Sequence, residues 1–559
     1  MRRKPGAPWV LDLASEDRAR ALQSAEDCLA EGRAAAVRVT KETLDEETRE
    51  FQTVTIMSKG AVMGPDKKKK VDEDRAPLCV SPADLYSAHA RERIGRLLDG
   101  YLARHKATPF ELLHRPDLVE NLEASVELQH AIQKISIPEA EARGLKVHDV
   151  MKTFQGLAQR AIERLLKDFK KGKLPDVDRE GFAAAAERLV ADPDRAYLLG
   201  AGVAASIAPA HGWADKITRL LDLADAAPQE PKARAMALAV IEQPICEILN
   251  SAAGLNDLLG SDMDLGSSLA AMTRLAGSEQ VEMLIGIEPR VAAVMPALEG
   301  PAARLANWLG SKHFEQVRKA ISQRVLKELT SPKRLKPGDA EAEIEYLRAL
   351  AMALTAAAGR ILEHEDIHNA FTERSKMLLT GEFVTSLLGR DRSAREEIEV
   401  LVKLTENVTG GANKRAASRW LLANATGLRF EREIQQGPDA AAAKLAALAT
   451  LQRLVSRSGL VPEDYKPIQD HFGQLGARIE SETRVINTLL RAPSPLTFKL
   501  SVLIRLATGE TGPIGPAADK ARAEALKLVR MPESREALAK SPQVLALVRS
   551  FVESTQKAA

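Results

Sequence analysis

The residues whose types and spacing could do chemistry are few, and His364-Glu365-Asp366-Ile367-His368 is the sharpest group. On a helix, positions four apart share a face. Both imidazoles could therefore bind one Zn²⁺, with Glu365 as general base toward a metal-bound water. A third ligand would have to come from elsewhere. The neighbouring residues set up a competing expectation. Leu347, Leu350, Leu354, Ala357 and Ile361 recur at helical spacing, and His364 and His368 continue that stripe. Histidines on such a stripe are expected half-buried, with one ring nitrogen hydrogen-bonded. The second expectation is the one we carry forward.

Those five positions resemble the motif of the zincin metallopeptidases. The resemblance implies a zinc-dependent hydrolase with His364 and His368 as ligands and Glu365 as base. The chain departs from the pattern directly after the glutamate, where the charged Asp366 replaces an apolar residue. No nearby glycine and third histidine extend the motif, although Glu373, Glu382, Glu396 and Glu397 lie downstream as candidate third ligands.

Two further patterns carry weaker chemistry. Gly200-Ala201-Gly202-Val203-Ala204-Ala205 matches a dinucleotide fingerprint, which has meaning only between a strand and a helix. Its flanks read as helix, so the small residues are expected to let two helices approach closely. Residues 312–336 hold Lys312, Arg318, Lys319, Arg324, Lys327, Lys333, Arg334 and Lys336 against only Glu315 and Glu328. This run could meet an acidic protein partner, or act as a polyanion-binding module. With little aromatic interleaving for base stacking, a protein partner is preferred, contacted by Lys312, Arg318, Lys319, Arg324 and Lys327. No phosphate-binding loop, nucleophile elbow or paired-cysteine motif occurs.

The elements that must position these residues are helical. Apolar residues are 45% of the chain but aromatics only 4%, so the core is built from Ala, Leu, Val and Ile, which favour helices. Net charge is +2, from 79 basic and 77 acidic residues. That balance argues against a general nucleic-acid binder. Cys28, Cys79 and Cys246 are too few and too far apart for a disulfide framework. No apolar run approaches the length of a membrane span, and the basic start Met1-Arg2-Arg3-Lys4 lacks the apolar stretch of a signal peptide. A cytoplasmic location follows as an expectation.

Along the chain, residues 14–32 read as a helix, and 35–40 and 51–58 as two short strands rich in Val and Thr. The lysine run 67–70, interleaved with acids, reads as a solvated loop. Ser81-Pro82 and Thr108-Pro109 look like N-caps followed by proline, the first opening a helix to about His105. In 146–172, Val150, Phe154, Leu157, Ala161, Leu165 and Phe169 fall on one face. The stretch 330–339, with two prolines and a glycine, reads as a linker. A helix over 463–490 places Ile468, Phe472, Leu475, Ile479, Ile486 and Leu489 at nearly heptad steps.

The expected fold class is mostly all-α: an irregular multi-helix array with a small N-terminal α/β portion. The expected domains are 1–80, 81–175, 176–330 and 339–559. The expected function is a non-enzymatic interaction or regulatory scaffold of packed amphipathic helices, compatible with self-association. The zinc hydrolase and the polyanion-binding module are the alternatives.

Overall fold

In a computed structural model, residues 1–3, 9–15, 17–44, 51–60, 78–261, 263–311 and 313–558 are described. The lysine run 67–70 and Lys312 lie outside the described residues. The chain is 74% helical, and the one sheet among the described residues has two antiparallel strands near the N-terminus. The mostly-α class with a small α/β portion is therefore the observed architecture. No helix among the described residues is long and apolar enough to cross a membrane. Two compact units make up the chain: Met1–Leu85 with Ser125–Ala161, and Tyr86–Ala124 with Ile162–Ala559.

In the first unit, strand β1 (Ala36–Leu44) pairs with β2 (Phe51–Gly60), with Val37 opposite Lys59 and a register shift between Val39 and Thr40. The pair ends on Gly60 because a Cβ there would lie 2.5 Å from the Ala35 carbonyl oxygen. Helix Arg18–Ala30 packs on β1 through a small core of Cys28, Ala34 and Val37. Trp9 lies between two guanidiniums, those of Arg2 and Arg38, at 4.5 and 4.8 Å.

The segment after Ser81 differs from the single long helix expected. Pro82–Tyr86 forms a short 3₁₀ turn, helix Ala88–Leu97 restarts on a Ser87 cap, and Asp99–His105 follows as a separate helix. The Asp84 carboxylate accepts from the N–H groups of both Val80 and Ser81 at 2.8 Å, which closes the turn before an α-helix can propagate. Thr108-Pro109 does start a helix, Pro109–His114, and Thr108 and Glu111 form a complete capping box. In helix Val147–Lys170, Val150, Leu157 and Leu165 are buried as expected, but Phe169 is 58% exposed. Phe169 sits one residue from the helix end, past the buried layer.

The second unit packs serially. Helix Arg195–Ile207 lies against Pro109–His114 and Pro231–Asn250, and the last of these carries Glu315–Leu329. Helix Leu265–Ile287 packs on Gly300–Gly310, Glu315–Leu329 and Ala340–Ala356. Ala340–Ala356 leads to His364–Leu378 and Ala394–Asn407. Gly411–Ala425 links these to Pro462–Thr483, which pairs with Ala441–Ser456 and Pro516–Val529. Leu496–Ala507 then ties Pro516–Val529 to Pro542–Ala558. One buried cluster runs through all of them from Phe110 to Phe551. It is made of aliphatic side chains such as Ile217, Leu220, Ile241, Leu350 and Leu401, as an aromatic-poor composition requires.

Two segments show what tertiary contacts add. The 330–339 stretch is tied down on several sides. Leu335 is fully buried, and the N–H groups of Leu335 and Lys336 donate to the Glu343 carboxylate at 3.0 and 2.7 Å. Arg374 reaches in to the carbonyls of Glu328, Leu329 and Lys333. The 463–490 segment is two helices, Pro462–Thr483 and Val485–Arg491, because Arg484 adopts a left-handed φ of 51°. Its Ile468, Phe472, Leu475 and Ile479 are buried.

Candidate functional site

His364 is the first residue of helix His364–Leu378, not a continuation of the preceding stripe. Helix Ala340–Ala356 ends seven residues earlier in the sequence than Glu363, and a turn through Gly359, with φ 74°, intervenes. Leu347, Leu350, Leu354, Ala357 and Ile361 are buried, whereas His364, Glu365, Asp366 and His368 are all exposed. The expectation of half-buried histidines is thus corrected. The reason is phase: the new helix turns Ile367, Ala370, Phe371 and Arg374 inward instead. Among the described residues, no group of three or more His, Cys, Asp or Glu side chains is placed to hold a metal.

Gly200 and Gly202 lie in the middle of helix Arg195–Ile207, with no strand before them. They serve close approach. A Cβ on Gly200 would lie 2.6 Å from Nε2 of His114, and one on Gly202 would lie 2.6 Å from Cγ1 of Val177.

The basic run is divided in its roles. Arg318 donates to the Leu309 carbonyl, and Arg324 donates to those of Leu249 and Asn250 at 3.1 and 3.0 Å, at the C-terminal end of Pro231–Asn250. Burial lowers both arginines from their ordinary value. Lys336 binds Asp264 at 2.6 Å, and Arg334 lies 4.8 Å over the Phe383 ring. Lys319 and Lys327 are exposed on helix Glu315–Leu329, and Gln316 and Gln323 are exposed beside them. These four recur at three- and four-residue steps and so share one outward stripe without a carboxylate.

Two buried polar clusters were not legible as sites in the sequence. The first gathers on Pro109–His114. Glu111, fully buried, accepts from Lys216 Nζ at 2.7 Å on both oxygens, from Arg115 at 3.2 Å and from the Thr108 N–H at 3.0 Å. Glu247 accepts from Arg91 at 2.6 Å and from the Phe110 N–H at 2.7 Å. Burial pushes the Lys216 ammonium down, against the upward pull of Glu111. Burial pushes Glu247 up, against Arg91. His114 Nδ1 lies 2.7 Å from the Phe110 carbonyl oxygen, which can only accept, so Nδ1 carries the proton. Burial lowers His114 to about 4, with that hydrogen bond opposing. Every one of these groups has a partner, which is how buried polar atoms behave in a structural fastening.

The second cluster is unsatisfied. Helix Leu265–Ile287 is kinked at Ser278, whose φ of 33° and ψ of −107° are not helical. The residue before it explains the kink. A Cβ on Gly277 would lie 3.1 Å from Ile361 and 3.3 Å from Ala357, so the 357–361 turn presses on the helix where it has no side chain. Gly-Ser steps are a recurrent place for helix kinks. Ser278 is 9% exposed, and its buried Oγ has no hydrogen-bond partner. It opens into a cleft of about 360 Å³ shared with Gly300–Gly310. Strain at a non-glycine residue together with a bare buried hydroxyl is the kind of outlier that points from structure to function. The only local signal in the sequence was the Gly277-Ser278 pair inside an otherwise apolar helix.

No family model, curated protein or solved structure matches the chain.

Proposed function

We propose that this chain is a non-enzymatic interaction scaffold of packed amphipathic helices, working in the cytoplasm. The observation that carries the reading is the serial order of packing in the second unit, in which each helix closes on near neighbours in the chain. Arrays of that kind add surface with every helix pair, and use it to hold partners. The three cysteines are all free, in keeping with a reducing compartment. The contact surface we assign is the outward stripe of helix Glu315–Leu329, with Lys319 and Lys327 facing an acidic protein partner.

Isolation of the full chain from its native cells under mild cross-linking tests this. A recurrent acidic partner is expected, with recovery falling several-fold for the double variant Lys319→Glu, Lys327→Glu at unchanged expression. Recovery of the chain alone, or the same partners from the charge-reversed variant, overturns the reading.

A further inference from the structure

The geometry points to a second site, independent of any protein partner: the cleft at the Ser278 kink binds a small aliphatic amine that also carries a hydroxyl or carbonyl group. The space is about 360 Å³, at the small end of the roughly 300–1,000 Å³ usual for ligand pockets. One wall is apolar, formed by Leu298, Ala303 and Ala306. The facing wall offers the Ser278 hydroxyl, and Asn307 adds a carboxamide. A hydroxyl that is 91% buried and unpaired has lost its water without gaining a partner, so a ligand atom that bonds to it restores what burial removed. Gly310 keeps the approach open, since a Cβ there would stand 3.4 Å from the Ser278 Oγ.

Charge selects the ligand. Arg274 is spent: it holds both oxygens of Glu282, one of them at 2.8 Å, and donates to the Pro296 carbonyl at 2.8 Å. Behind Gly310, Arg318 and Arg360 both donate to the Leu309 carbonyl, so their charges face the negative end of helix Gly300–Gly310. Among the lining residues this leaves the exposed carboxylate of Glu279, next in the chain after Ser278, as the uncompensated charge. A protonated amine meets Glu279, a short methylene body lies on Leu298, Ala303 and Ala306, and the polar end reaches Ser278 and Asn307.

Titration calorimetry on the full-length chain, with three probes of matched length, tests the assignment. We expect 5-aminopentan-1-ol to bind at one site per chain, pentane-1,5-diol to bind roughly tenfold more weakly, and 5-hydroxypentanoate more weakly still. Glu279→Gln, an exposed and isosteric change, should bring the amine down to the level of the diol. Ala306→Phe should abolish binding of all three. The assignment is overturned if none of the probes binds the wild-type chain, if the hydroxy acid matches the amine, or if Glu279→Gln leaves the preference for the amine intact. Because Glu279→Gln alters no packing, that comparison stands even where the larger phenylalanine disturbs the fold.

Discussion

Two places in the second unit take polar side chains out of water, and they do it differently. Around Pro109–His114, two carboxylates, a lysine, two arginines and a histidine are buried, and each is matched by a donor or acceptor within 3.2 Å. At the kink of Leu265–Ile287, a single serine is buried in a strained conformation with nothing opposite it. The first arrangement stores its electrostatic energy in the fold. The second leaves a hydroxyl and a carboxylate facing a cleft, available to something else. Satisfied burial marks a fastening, and unsatisfied burial beside open space marks a site.

Breaking the fastening has the largest expected effect. Lys216→Met leaves Glu111 buried with only Arg115 as a cationic partner, and stability should fall by about 3–5 kcal/mol in chemical denaturation. A loss of under about 1 kcal/mol would show that the pair contributes little and that the contrast with the kink is false.

The same region should also respond to acid. His114 stays neutral in the folded chain down to about pH 4, whereas in the unfolded chain it takes up a proton near 6.5. Between those values the unfolded state binds more protons, so stability falls as pH drops through the window, by about 3 kcal/mol in total. Denaturation series at several pH values for wild type and His114→Phe isolate this residue. The variant's pH dependence should be shallower across pH 4–6.5, and identical slopes would remove His114 from the account.

At the kink the expected change has the opposite sign. Ser278→Gly relieves a φ of 33° that glycine tolerates, and the gain should exceed glycine's entropic cost by about 1 kcal/mol. A small rise in melting temperature, with weaker binding of the amine probe, would show strain held in place for function. A fall in melting temperature would mean that the serine stabilises the bend.

The smallest effect belongs to the pair that looked most chemical. His364→Ala and His368→Ala alter exposed side chains in a first helical turn, so each should change stability by under about 0.5 kcal/mol. Added zinc should not raise the melting temperature of the wild-type chain, and a rise abolished by either variant would restore the metal reading.

The residues themselves dictated the helical class. Ala, Leu, Val and Ile at three- and four-residue steps, Thr108-Pro109 with Glu111, and the Val-rich strands each carry their own local instruction, because helix and strand periodicities and caps act within a few residues. Helix ends were legible where a cap spelled them out, and not at Ala357–Glu363 or Arg484, where the chain turns because of what packs on it. That difference set the fate of His364 and His368: one turn reset the phase of the helix and put both outside. Most of the basic run was likewise decided late, since Arg318, Arg324 and Lys336 found carbonyls and carboxylates 60 or more residues away or across a helix end. The Ser278 cleft was beyond local reading altogether. It exists because the 357–361 turn meets Gly277 and because Gly310 comes up beside a hydroxyl, and such meetings of distant segments are set by packing rather than by any neighbouring residue.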